Sequence, residues 1–342
     1  MTYKIVTLAG DGIGPEIMEA GLAVLEKVAA QIGFNYEIIP CDFGGVAIDK
    51  HGTPLPEATL AAAKDADAIL HGSIGDPKFD NEAIRPEQGL LAIRKELGLF
   101  ANIRPLKVYT ALKEISPVKN VDDVDFIVVR ELTGGIYFGE HRVEENEAHD
   151  TCTYTRQEIE RVARVAFELA RKRRKKVTSI DKQNVLATSK LWRRVVTEVS
   201  KEYPDVELVH QLVDSAAMLL IINPKEFDVI LTENLFGDIL TDEAAAIAGT
   251  LGVMASSSAG TSSAFYEPIH GSAPDIAGQG IANPIGMIMS IAMMLADSFG
   301  EKEAALKIEQ AVEKTLESGI LTRDLGGTAT TAEICNAIIA RL

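Results

Sequence analysis

The sequence predicts a two-domain α/β protein, and three observations carry that expectation. Strand-like and helix-like segments alternate along the chain, the pattern that builds a sheet covered by helices. Its 342 residues exceed the size at which a single core stops growing. The composition is globular, with 46% hydrophobic and 25% charged residues, 27 glycines and 13 prolines.

Each element has a local reason. Lys4 to Ala9 is a short run of strand formers, followed by Gly10-Asp11-Gly12-Ile13-Gly14-Pro15 and an amphipathic helix from about Glu16 to Ile32. Tyr36 to Pro40 reads as a strand and Pro56 to Asp65 as a helix. Ala68 to His71 reads as a strand leading into Gly72-Ser73-Ile74-Gly75. Phe126 to Arg130, Lys176 to Ile180, Glu207 to Leu212 and Asp228 to Thr232 read as further buried strands. Thr155 and Glu158 form a capping-box signature for a helix that closes on the basic run Arg171 to Lys176. Cations there complement the helix dipole, so the run reads as a solvated helix end, with a polyanion-binding patch as the alternative. Pro284 to Ala296 is apolar but too short to span a bilayer, and reads as a buried helix with Pro284 in its first turn. Ser256 to Ser263, rich in small polar residues, reads as a surface loop. Gly134 to Cys152 is charged and weakly apolar; it is either a solvated loop or an extended arm that pairs with a second subunit.

Charge and cysteines narrow the partners. A net charge of −16 argues against nucleic acid or an anionic membrane, and favours a bound cation. Cys41, Cys152 and Cys335 include no CxxC pair and no metal-like spacing, which fits a reducing cytoplasm. The start, MTYKIVTLAG, is not built like a signal peptide. The six histidines are scattered, so a zinc site built from them is not expected.

Three motifs carry chemistry. In Glu233 to Ala246, which reads as helix, Asp238 and Asp242 are four residues apart and leave the same face. A like-charge pair at that spacing suits a hard divalent cation; the alternative is that Asp238 caps the helix and Asp242 is solvated. Gly10-x-Gly12 lies between a strand and a helix, as in a dinucleotide fingerprint, but Pro15 stands where the third glycine belongs. A tight strand-to-helix turn accounts for it equally well. In His270 to Pro284, glycines and Pro274 shape a loop in which Asp275 offers a carboxylate. Beside a nucleotide, that carboxylate would accept from ribose hydroxyls and repel a 2′-phosphate, which points to NAD rather than NADP.

Taken together, the chain resembles the β-decarboxylating dehydrogenases, the family of isocitrate, isopropylmalate and D-malate dehydrogenases. The resemblance runs end to end. It rests on GDGIGPE at Gly10 to Glu16, RPEQGLLAIRKELGLFANIRP at Arg85 to Pro105, RELTGGIYFG at Arg130 to Gly139, DKQNV at Asp181 to Val185, ENLFGDILTDE at Glu233 to Glu243 and EPIHGSAPDIAGQGIANP at Glu267 to Pro284. It implies an isocitrate/isopropylmalate dehydrogenase-like fold that is not a Rossmann fold, which accounts for the failed fingerprint. Residues 1–98 and 250–342 would form a nucleotide-binding domain. Residues 99–249 would form a central domain with the dimer interface and an arm at about 134–152.

The resemblance also assigns roles. Arg94, Arg104 and Arg130 match the arginines that grip a 2-hydroxy diacid, and guanidinium forks suit carboxylates. Lys182 matches the base that takes the hydroxyl proton, a role requiring a pKa lowered by burial and a nearby cation. Tyr137 matches the acid that protonates the carbon freed by loss of CO₂. Asp238, Asp242 and Asp214 match the ligands of Mg²⁺ or Mn²⁺, with Asp214 and Lys182 supplied by the partner subunit of a homodimer. Asp214 would also lie at the substrate. Leu90 would face the substituent that distinguishes substrates; a leucine welcomes an isopropyl group and leaves a carboxylate poorly solvated. The NAD contacts expected are Gly72, Ser73, Ile74, Gly75, Glu87, Glu267, His270, Gly271, Ser272, Ala273, Asp275, Ile276 and Asn283. Asp275-Ile276 stands where NADP-dependent relatives carry Lys-Tyr. Ser215 and Leu219, beside Asp214, depart from the commoner Asn and Gln. The reaction implied is NAD-dependent oxidation and decarboxylation of (2R,3S)-3-isopropylmalate to 4-methyl-2-oxopentanoate and CO₂ in leucine synthesis. Its rivals are an enzyme for D-malate or another 3-substituted malate, and a non-catalytic regulatory subunit.

Overall fold

The structure, a computed structural model, describes residues 2–260 and 263–342. Along the chain run β1 (Tyr3–Gly10), α1 (Gly14–Ile32), β2 (Tyr36–Pro40), α2 (Gly45–His51), α3 (Glu57–Asp65), β3 (Ala68–Ser73) and α4 (Pro86–Glu96). Then come β4 (Ala101–Lys107), β5 (Asp125–Glu131), β6 (His141–Val143), β7 (Ala148–Asp150), α5 (Arg156–Arg171), β8 (Lys176–Asp181) and α6 (Ala187–Val199). They are followed by β9 (Glu207–Leu212), α7 (Val213–Ile222), β10 (Val229–Thr232) and α8 (Asn234–Ala248). The last are β11 (Ala255–Ala259), β12 (Ala264–Pro268), α9 (Ile285–Asp297), α10 (Lys302–Glu317) and α11 (Thr331–Ile339).

Two compact units divide the chain. Met1–Gly98, Tyr109–Ile115 and Gly249–Leu342 form the first, and Leu99–Val108 with Ser116–Ala248 the second. Residues 109–115, placed by the sequence in the middle domain, therefore belong to the first unit. The reason is burial: Tyr109 and Leu112 are core residues, and Tyr109 lies in the field of Glu309 and Glu313 on α10.

In the first unit the strand order is β2-β1-β3-β12-β11, all pairs parallel except β11 with β12. Helix α1 has Pro15 in its first turn and ends on Gly33 at φ 71°, the left-handed stop that glycine takes without strain. The expected loop at Ser256–Ser263 is overturned. Ser256, Ser257 and Ser258 are buried residues of β11, and Ser256 Oγ donates to the Glu267 carbonyl across the pair at 3.1 Å. Small side chains made a strand look like a loop. Thr261 and Ser262 lie outside the described residues.

In the second unit the order is β4-β5-β10-β8-β9, with β4 antiparallel to β5 and the rest parallel. Its core centres on Trp192, which donates to Ser179 Oγ at 3.2 Å and packs edge-on to Tyr154. Thr155 and Glu158 close the predicted capping box at the start of α5. The basic run is the solvated end of α5, with Lys172, Arg174 and Lys175 exposed, and not an open cationic patch. Arg171 pairs with Asp205, Arg173 with Asp125 and Asp228, and Lys176 with Glu226. Within Gly134 to Cys152, β6 and β7 pair antiparallel as a ribbon whose six residues are all exposed.

The turn after β1 is a backbone clamp. Asp11 N–H donates to the Ser73 carbonyl at 2.8 Å, and Ile13 N–H to the Ser272 carbonyl at 2.8 Å. A Cβ at Gly10 would stand 1.9 Å from the Ser73 carbonyl oxygen, one at Gly12 2.0 Å from that of Ser272, and one at Gly14 2.0 Å from that of Ala9. The buried Asp11 carboxylate accepts from the backbone N–H groups of Gly45, Val46 and Gly75. The glycines of GDGIGP thus serve loop-to-loop contact, and the tight-turn reading of this motif holds.

Candidate active site

In the first unit, α4 presents the predicted substrate residues. Glu87, Leu90 and Arg94 fall at i, i+3 and i+7, one face of a helix. Leu90 is half-buried, while Gly89 and Ile93 on the other side are buried. Glu87 lies near the predicted cofactor loops, since a Cβ at Gly75 would be 3.5 Å from both Glu87 Oε1 and Ser272 Oγ. Arg94 donates to Glu267 Oε1 at 2.9 Å, and His71 Nδ1 lies 2.8 Å from Glu267 Oε2. Burial would raise the Glu267 carboxyl, but Arg94 and His71 overcome it and hold the group at about 2. Gly72 and Ser73 pack against the turn after β1: Ser73 Oγ donates to the Asp11 carbonyl at 2.9 Å, and a Cβ on Gly72 would strike the Ala9 carbonyl. Ile74 and Gly75 emerge half-buried beyond them.

The first unit also holds a cavity of about 370 Å³, lined by His270, Ala273, Ile276 and Asn283 among the predicted cofactor residues. His270 Nδ1 is satisfied by the Gly271 carbonyl, but Nε2 is buried without a partner among the described residues. Burial lowers the imidazole pKa, so the ring is neutral. A nucleotide would supply what Nε2 lacks, and the residues fit one. Asp275 and Gly271 are exposed, and Ser272 is buried. The sequence reading missed Ile13, Thr250, Leu251, Arg323 and Asp324, which line the same cavity. Asp324 accepts from Asn283 at 3.1 Å and Thr250 at 2.9 Å, ordering one wall. No motif in the Arg323 segment announces this, because its neighbours come from loops distant in sequence.

In the second unit, β4, β5, α8 and the turn Ile136–Phe138 gather the remaining arginines around Asp238. Arg130 Nη1 donates to Asp238 Oδ1, Arg130 Nη2 to Asn234 Oδ1 at 2.7 Å, and Arg104 Nη1 to Thr241 Oγ1 at 2.5 Å. Tyr137 donates its hydroxyl to Asp238 Oδ2 at 2.9 Å. Burial, then Asp238, push the Tyr137 pKa up, so the phenol keeps its proton. Asp238 lies in the second turn of α8, so the capping alternative fails. Burial would raise the Asp238 carboxyl, but Arg130 and Arg104 hold it below the usual range. Asp242 goes the other way, raised by burial and then by Asp238. One helix face therefore carries two hard carboxylates with repulsion left over, a donor set that fits Mg²⁺ or Mn²⁺.

Lys182, just past β8, and Asp214, in the first turn of α7, form their own ion pair at 2.6 Å. Among the described residues no group of three or more His, Cys, Asp or Glu is arranged to hold a metal ion. Buried Asp181 takes a bidentate bond from Arg193 and accepts from Gln183 N–H, fixing the turn that carries Lys182. Ser215 is engaged by Gln211.

Comparison with known proteins places this architecture. The isocitrate/isopropylmalate dehydrogenase family model matches residues 4–338, and the chain belongs to that family of enzymes. Among its relatives, the 3-isopropylmalate dehydrogenase of Lactococcus lactis subsp. lactis is 65% identical over 99% of both chains. That of Streptococcus thermophilus (strain CNRZ 1066) is 66% identical over the full length of both. Two solved structures share the fold. Isocitrate dehydrogenase from Methylococcus capsulatus has a TM-score of 0.91 at 39% identity, covering 99% of each chain. A β-decarboxylating dehydrogenase from Thermococcus kodakarensis has a TM-score of 0.84 at 39% identity, covering 99% of this chain and 96% of that one.

Proposed function

We propose that this enzyme oxidises and decarboxylates 3-isopropylmalate to 4-methyl-2-oxopentanoate and CO₂, using NAD and Mg²⁺ or Mn²⁺, as a cytoplasmic homodimer serving leucine synthesis. The observation that carries it is the face of α4, which sets an apolar Leu90 one turn from a part-buried, anchored Arg94. That pairing of an aliphatic surface with a carboxylate fork suits a diacid with a branched alkyl substituent. The relatives bearing that enzyme's name support the same substrate.

Each residue then has a task. Arg94, Arg104 and Arg130 hold the two carboxylates and orient the hydroxyl-bearing carbon. Lys182 takes the hydroxyl proton as the C–H hydride departs. After the C–C bond to CO₂ breaks, Tyr137 delivers its proton to the carbon left behind. When bound, NAD accepts the hydride, and the divalent ion held by Asp238, Asp242 and the partner's aspartate withdraws electron density from the 2-oxygen. The cofactor residues are those of the 72–75 and 270–283 loops with Glu87 and Glu267, and the exposed Asp275 reads the ribose.

The homodimer draws support from what one chain leaves unfinished. Asp214 and Lys182 pair with each other at 2.6 Å. Near them in sequence, α7 exposes Met218, Ile221 and Ile222, and α8 exposes Ile239, at 41–60%. Apolar side chains at such exposure suit a second copy. No helix among the described residues is long and apolar enough to cross a membrane. The three cysteines are free thiols, in keeping with a reducing compartment.

The test is NADH formation from 3-isopropylmalate, D-malate and isocitrate in parallel, with Mg²⁺ and then with EDTA. The expected outcome is a preference of tenfold or more for 3-isopropylmalate, on the order of what an apolar pocket discriminates, abolished by EDTA. Preference for either other acid would overturn the role of Leu90.

A further inference from the structure

We propose that His71 is a positioning residue for substrate recognition: it keeps Glu267 singly bonded to Arg94, so that Arg94 retains a donor for a substrate carboxylate. The proposal rests on the reading that Arg94 binds a carboxylate of the diacid.

The geometry is a three-membered chain with one carboxylate at its centre. Glu267 Oε1 accepts from Arg94 Nη2 at 2.9 Å, and Oε2 lies 2.8 Å from His71 Nδ1. Each oxygen has a different partner. Glu267 is ionised, so His71 Nδ1 must carry the proton and donate. His71 is 2% exposed and Glu267 7%, so both groups lie where losing a partner is expensive.

Sequence and fold fix His71 firmly. It is a residue of β3, and Glu267 is a residue of β12. The parallel register sets Tyr266 beside Leu70, which brings Glu267 alongside His71. Phe43 packs edge-on to the imidazole at 5.4 Å, and Phe265 lies 5.3 Å away on a tilted plane. The ring has little room to turn, so the Nδ1 donor is a fixed point.

The consequence falls on Arg94. Its Nε is buried and has no hydrogen-bond partner among the described residues. Guanidinium and carboxylate prefer a two-bond fork, and Glu267 could complete one by swinging Oε2 onto Nε. His71 prevents that by holding Oε2. Arg94 is thereby anchored through one nitrogen, with another donor left open for an incoming acceptor.

Two variants separate this from a packing role. His71→Leu keeps an apolar body and removes the donor. His71→Asn places an amide N–H near the former Nδ1. The first readout is the Arg94 Nε–Hε signal in ¹⁵N-arginine-labelled, ligand-free enzyme, assigned by its loss in Arg94→Lys. We expect His71→Leu to shift this signal downfield and slow its exchange with water as the fork closes, and His71→Asn to restore it. The second readout is steady-state kinetics with Mg²⁺. We expect His71→Leu to raise KM for 3-isopropylmalate about tenfold, with kcat within about twofold, and His71→Asn to recover most of the loss.

An Arg94 signal unmoved by His71→Leu would overturn the proposal whatever the kinetics. So would a fall of kcat in parallel with the rise of KM for 3-isopropylmalate that His71→Asn does not rescue. If the signal moves and recovers as expected but the wild-type enzyme does not turn over 3-isopropylmalate, the functional reading fails and the His71–Glu267–Arg94 linkage stands.

Discussion

Glu233 occupies the turn between β10 and α8 and is 4% exposed. Burial pushes its carboxyl up from 4.5 to about 7, with hydrogen bonding from Ser189 opposing and Asp181 adding to the rise. A carboxyl whose folded pKa is raised gives stability that declines as pH climbs. Below about 4.5 both states are protonated and nothing is lost. Between there and about 7 the unfolded chain ionises first, and above about 7 the full penalty is present. Glu233→Gln is therefore expected to stabilise the protein by on the order of 2–3 kcal/mol at pH 8, and by little at pH 4.5. Urea unfolding at the two pH values checks this; a gap that does not widen with pH would mean that the carboxyl is not protonated in the fold. Such residues mark the limit of reading from sequence. The spacing of Asp238 and Asp242 was legible because four residues along a helix is local geometry. The bond from Arg94 to Glu267 spans 173 positions, and nothing local in either segment announces it.

At the scale of elements, the clamp after β1 makes a sharp claim about glycine. Gly12 sits at φ +58° with the Ser272 carbonyl oxygen 2.0 Å from where a Cβ would stand. Gly33 sits at φ +71° with nothing within 4 Å. Gly33→Ala then carries only the left-handed backbone penalty, about 1–2 kcal/mol. Gly12→Ala adds displacement of the Ser272 loop and is expected to lose at least about twice that, or fail to fold. Thermal unfolding orders the two. Where Gly12→Ala does fold, KM for NAD should rise, while Gly33→Ala leaves it unchanged. The strands and the longer helices were legible because periodicity and capping are local. The serine-rich β11 was not, because its hydroxyls are satisfied within the fold. The basic run after α5 was legible as a solvated helix end, but its ion pairs were not, because the acidic partners lie on other elements.

For the whole molecule, the proposed shared site yields a test that needs no structure. Lys182→Ala and Asp238→Asn should each be inactive alone. If the two residues meet across a dimer, dissociating and reassembling an equal mixture restores about a quarter of the wild-type sites, one in each heterodimer. If both act within one chain, mixing restores nothing. The two-unit division was legible in outline from length and from the family resemblance, but the assignment of residues 109–115 was not. It depends on burial of Tyr109 and Leu112 against segments about two hundred residues away.

The interleaving of the first unit also has a consequence in time. Strand β3 pairs with β12, whose first residue, Ala264, is 191 positions beyond Ser73. At about 5–20 residues per second, a ribosome takes roughly 10–40 s to cover that stretch. Throughout that interval the nascent chain carries β1, β2 and β3 with one edge of β3, a strand buried along its whole length in the finished fold, unclosed, while the second unit is being synthesised in between. Synthesis, rather than thermodynamics, sets how long that edge stays open to wrong partners.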